Sequence, residues 1–99
     1  MQANSPGVYV ILNKETGRKY IGSSRNVLSR MKQHARKLKR QNHHNKDLQK
    51  DFNLFGISSF DFSVITHGSL RKISQIEMEM IEAESNLYNV TNRPYLRII

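Results

Sequence analysis

One acid of this chain is set apart by its neighbours. Over residues 70–84 the apolar side chains Leu70, Ile73, Ile76, Met80, Ile81 and Ala83 recur at helical spacing. At about 100° per residue Glu77 falls inside their arc, one turn from Ile73 and one from Ile81. Glu79 and Glu82 fall outside it, and Glu84 reaches water at the helix end. A carboxylate drawn toward a core is neutralised, ion-paired or bound to a metal. Arg30 is the candidate ion-pair partner, and a carboxylate reaching water from the edge of the arc is the other plain reading. A lone acid suits Mg²⁺ or Mn²⁺, which keep several waters and draw other ligands from substrate phosphate. Arg30 and His34 stand four apart on an earlier helical stretch, so one lies above the other. A guanidinium, an imidazole and an acid are groups that hydrolysis of a phosphodiester would use, if the acid holds a metal and is not simply paired with Arg30. That reaction needs a fixed positive charge at the phosphate, a proton acceptor and help for the leaving oxygen.

The elements that must position these groups are legible in order. Gly7 to Leu12 and Lys19 to Gly22, joined through Asn13-Lys14-Glu15-Thr16-Gly17, predict a β-hairpin. Tyr9 and Tyr20 lie one on each arm and share a face only in a suitable register. Plain core packing is the bland reading of both. Ser23, Ser24 and Asn26 offer N-caps for a helix over 27–39, whose apolar stripe is Val27, Leu28, Met31, Ala35 and Leu38. A polar connector, Gln41 to Asn45, leads to a second helix over 46–55 that stops at Gly56. Phe60 to Ile65 alternates as a half-buried strand does, and Ser69 can cap the third helix. Leu87 to Thr91 and Tyr95 to Ile99, separated by Pro94, read as short extended pieces. The expected architecture is an α+β domain over residues 1–99: a small three-stranded sheet flanked by about three helices.

Gly7-Val8-Tyr9, ten intervening residues and Tyr20-Ile21-Gly22 resemble the signature of the GIY-YIG nuclease family, with valine for the commoner isoleucine. Arg30, His34, Glu77 and the pair Tyr88-Asn89 follow in the family's order, closest to the catalytic domain of its homing endonucleases. The resemblance implies an antiparallel sheet and a divalent-metal-dependent DNA endonuclease. It casts Tyr9 as general base or water-positioner beside Tyr20 and His34, Arg30 as the charge at the phosphate, and Glu77 as the ligand of one Mg²⁺ or Mn²⁺ ion. A free phenol, with a pKa of about 10, is a poor base at neutral pH, so either its pKa is lowered or His34 takes the proton. His43 is expected to contact phosphate from the connector, with His44 as the alternative. Asn89 supports the site by a hydrogen bond or simply forms a turn.

Composition agrees with a polyanionic partner. Lysine and arginine number 16 against 8 acids, a net charge of +8. Between Arg25 and Lys50 the bases include Arg25, Arg30, Lys32, Arg36, Lys37, Lys39 and Arg40, against Asp47 alone. So dense a block repels itself unless it faces a polyanion, although most charge runs are merely solvated faces. Arg25 and Lys37 are therefore candidate phosphate contacts, and double-stranded DNA is the expected substrate. The absence of cysteine excludes disulfides and thiolate zinc sites, and the four histidines lack zinc spacing. No apolar run has membrane-spanning length and the start lacks a signal-peptide core, so a cytoplasmic setting without membrane contact is expected. Specificity should be weak in isolation, with a separate DNA-reading region beyond this chain as one possibility. A non-catalytic basic nucleic-acid-binding module is the alternative.

Overall fold

A computed structural model describes residues 4–89; the end of the extended piece expected over 87–91 and all of that expected over 95–99 lie outside them. The hairpin consists of β1 (Gly7–Asn13) and β2 (Lys19–Ser24). Gly17 takes φ +78° in the connecting turn, a left-handed conformation that favours glycine there. Next come α1 (Val27–Lys39) and α2 (Lys46–Phe55), the bounds that apolar spacing predicts. Gly56, at φ +87°, ends α2. A short 3₁₀ turn leads to β3 (Phe60–His67), and α3 (Leu70–Ala83) begins at Ser69, whose side chain accepts from the Lys72 N–H.

The sheet is antiparallel with order β2-β1-β3, so the apolar first strand is central and both its neighbours pair with it. The pairing with β3 shifts by one residue between Val8 and Tyr9. Strand alternation sends the two sets of β1 side chains to different helices. Tyr9 and Ile11 pack with Val27 and Leu38 of α1, Leu48 and Phe52 of α2, and Phe60. Val8 and Val10 join Ile21, Ile73 and Leu87 on the other face, where Ile76, Met80 and Ile81 of α3 cover them. Leu70, expected on the buried arc of α3, is exposed, because it opens the helix before the sheet begins to cover it.

Two details depart from sequence expectation. The side-chain bond at the start of α1 comes from Asn4, whose Oδ1 accepts from the Ser29 N–H, whereas Asn26 makes no side-chain cap. Ser23 is a strand residue with another partner. Beyond α3 the chain returns to the outer edge of β2: Leu87 bridges Lys19 in parallel, and the Tyr88 N–H donates to the Lys19 carbonyl at 2.7 Å.

Candidate active site

Register decides which face the two tyrosines occupy. Tyr9 is opposite Gly22 and Ile11 opposite Tyr20, so the phenols are diagonal neighbours on the face covered by α1 and α2. The Tyr9 ring lies across Gly22: a Cβ there would overlap its hydroxyl end. From α1, His34 enters between them, with ring centroids 5.3 Å from Tyr9 and 5.1 Å from Tyr20. Its Nε2 is 2.6 Å from the Tyr9 hydroxyl. His34 is only 5% exposed, although it is not among the apolar residues of the α1 stripe.

His43 lies behind His34, also 5% exposed. Its Nε2 is 2.7 Å from His34 Nδ1, and its Nδ1 accepts from the Asn45 backbone N–H at 3.0 Å. Both ring nitrogens are therefore engaged inside the protein, which does not match the expected phosphate contact from this residue. His44 is the exposed member of the pair; it stacks on His43 at 4.5 Å and its Nε2 is 3.4 Å from the Tyr20 hydroxyl. Asn45 closes the polar connector where it enters α2. It caps α2 through a bond from the Leu48 N–H, and its amide donates to the Tyr88 carbonyl at 2.7 Å. The signal was available: an asparagine immediately before an apolar-periodic helix.

Arg30 is exposed one turn before His34, and among the described residues no acid pairs with its guanidinium. With Ser24, Asn26, Ser29, Gln33 and Arg36 it lines a polar cleft of about 270 Å³ at the start of α1. Glu77 approaches from the other side of the sheet, half-buried, and accepts from the Ser23 hydroxyl at 2.5 Å. The Arg30–Glu77 ion pair considered from sequence does not form. Asn89 uses both ends of its amide on one strand residue: its Oδ1 accepts from the Ile21 N–H at 2.8 Å and its Nδ2 donates to the Ile21 carbonyl at 2.7 Å. It fastens β2 between Tyr20 and Gly22. Lys37 is half-buried near the histidines, and Arg25 is exposed in the turn before α1.

The electrostatics tie these groups together. Burial pushes the Tyr9 phenol well above its ordinary value of 10, Tyr20 and Glu77 add to this, and the Arg30 guanidinium opposes it. Burial and then Glu77 raise Tyr20, again against Arg30. Burial lowers His34 to about 3, helped by His43, His44, Arg30 and Lys37. Burial, His44 and Lys37 lower His43 to about 4. At neutral pH both phenols are thus protonated and both buried imidazoles neutral.

The donor set can be tested against the expected cation. Among the described residues no three His, Asp or Glu side chains gather as metal ligands, so a closed cage of the zinc type is not built. Glu77 gives one oxygen to Ser23 and carries no cationic partner among those residues. A hard cation that keeps its waters and shares one carboxylate with a phosphate fits this set.

The family described as the GIY-YIG catalytic domain matches residues 5–95. The fold is similar to the catalytic domain of homing endonuclease I-TevI, with a TM-score of 0.76 and 26% identity over 89% of this chain and all of that one. A substituted form of the catalytic domain of intron endonuclease I-TevI gives a TM-score of 0.70 at 25% identity, over 89% of this chain and 95% of the other. No curated protein sequence matches.

Proposed function

The chain belongs to the GIY-YIG catalytic-domain family and is an endonuclease of that type, and on this premise we propose that it hydrolyses phosphodiester bonds of double-stranded DNA with one divalent cation, Mg²⁺ or Mn²⁺. One observation carries the reading: Tyr9 and Tyr20 stand together against His34 on one face of the sheet, with Arg30 one turn away on α1, while Glu77 of α3 reaches the same end of β2 at Ser23. A guanidinium and paired hydroxyls on one face, with a lone carboxylate on the other face of the same strand, would make a place for a phosphate, its attacking water and a cation.

In this assignment Arg30 binds the scissile phosphate and balances charge as it accumulates there, with a planar fork suited to phosphate oxygens. Glu77 would hold the cation, oriented by Ser23; when bound, such an ion polarises a phosphoryl oxygen and stabilises a leaving oxygen. Tyr9, a hydroxyl at neutral pH, orients the attacking water, and acts as base only once positive charge assembled beside it lowers its pKa. Tyr20 and His44 border the same opening. Arg25, Lys37 and the exposed bases of α1 contact backbone phosphates, so affinity carries little sequence information and a DNA-reading region elsewhere would supply it. No helix of the described residues is long and apolar enough to cross a membrane, in keeping with a cytoplasmic nuclease.

Nicking of supercoiled plasmid tests this. Glu77→Ala and Arg30→Ala should abolish metal-dependent nicking while salt-sensitive binding persists. Undiminished nicking by Glu77→Ala would remove the metal assignment, and retention of plasmid without any cleavage by the unsubstituted protein would leave only a basic binding module.

A further inference from the structure

The contacts behind Tyr9 form a chain whose direction is fixed at one end. The Asn45 backbone N–H is a donor and nothing else, and it points at His43 Nδ1 from 3.0 Å. That nitrogen must therefore be the acceptor of its ring. A neutral imidazole has one bare nitrogen, so the proton of His43 sits on Nε2 and is donated across 2.7 Å to His34 Nδ1. His34 Nδ1 is thereby an acceptor too, its proton is on Nε2, and that N–H is donated across 2.6 Å to the Tyr9 oxygen.

We propose that His43 is a positioning residue for the reaction: anchored by the Asn45 backbone amide, it sets the tautomer of His34, so that His34 donates to the Tyr9 oxygen and the Tyr9 hydroxyl hydrogen is left for the substrate side. The catalytic consequence rests on the nuclease reading above; the tautomer does not.

The opposite direction fails on the same atoms. If Tyr9 donated to His34, then His34 would donate to His43, and the proton of His43 would be driven onto Nδ1 against the Asn45 N–H. A cationic His34 fails as well, because it would need His43 Nε2 as acceptor while Asn45 needs His43 Nδ1, and a neutral ring cannot offer both. His34 is thus not the proton acceptor of this site while the chain is intact. Any proton that Tyr9 handles leaves or arrives on its other side. A phenolate formed there keeps the bond from His34, which then stabilises the charged form. The burial that holds both histidines neutral agrees with this arrangement.

The full chain labelled with ¹⁵N tests the proposal by long-range proton–nitrogen correlation at neutral pH. Expected are Nε2–H tautomers for both His34 and His43, with Nδ1 bare. A proton on Nδ1 of His34 would overturn the proposal whether or not the protein cuts DNA. Plasmid nicking supplies the second arm. His43→Phe removes the donor to His34, and kcat should fall about 10–100-fold with KM little changed, as for other groups that orient a functional histidine. His43→Gln, whose amide can donate to His34 Nδ1, should recover most of the loss. Unchanged kcat in the phenylalanine variant, or equal loss in both, would refute the positioning role. An inactive unsubstituted protein carrying the expected tautomers would overturn the nuclease reading and leave the hydrogen-bond direction standing.

Discussion

Gly22→Ala probes the most confined contact of the site. A Cβ on residue 22 would stand 2.8 Å from Tyr9 Cε1 and nearer still to Cζ and the hydroxyl, whereas ordinary contact begins at 3.4 Å. The ring has Ile11, Val27 and Leu38 in the same cluster, so it cannot fold away freely. Its hydroxyl end must withdraw by about 1 Å, a displacement that in a reacting group costs on the order of 100-fold in rate. Overpacking of this kind destabilises by roughly 1–3 kcal/mol. At about 4–8 °C per kcal/mol for a chain of this size, Tm should drop by about 4–24 °C. Nicking rates and thermal unfolding measured on the same preparation separate the two effects. A variant with a normal Tm and undiminished nicking would refute the argument, since the phenol would then tolerate displacement or play no part.

Tyr88→Phe should lower stability without touching the reaction. The Tyr88 hydroxyl donates to Asp51 and accepts from the amide of Asn13, which is 0% exposed, so its loss leaves a buried donor unmet at about 1–3 kcal/mol. Thermal unfolding should show the loss, and nicking well below Tm should not change. Asn89→Ala removes two bonds to Ile21, also worth about 1–3 kcal/mol together, and should loosen β2 so that nicking and Tm fall together. The histidine pair predicts acid sensitivity. Both are held below the ordinary 6.5, at about 3 and about 4, so their contribution is complete above pH 6.5 and is lost as pH falls from there toward 4 and 3. Tm should decline through that window, and the double variant His34→Gln, His43→Gln should flatten the decline; an identical slope would show that other groups govern it.

Periodicity carried much of this molecule. The apolar stripes of residues 27–39 and 46–55, the glycine after the second and Ser69 before the third helix mark elements that form where those signals place them. The depth of the polar residues was not legible. His43 and Asn45 belong to a run of polar residues that reads as exposed connector, yet both are buried. Their burial depends on Tyr88, 43 positions from Asn45, and on His34, partners that no local pattern announces. The same holds for Glu77, whose place inside the α3 arc was readable, while its hydrogen bond to Ser23 required knowing that β2 lies beneath α3. Motif order named which side chains matter; strand register determined which face each would occupy.

That the acid and the phenols belong to opposite faces of the sheet has a geometric consequence. Tyr9 lies against Gly22 and Glu77 against Ser23, past the part of β2 that residues 87–89 cover, so the proposed centre is a rim and not a pit. A phosphate seated there would bestride that rim, met from above by hydroxyls and from below by the carboxylate.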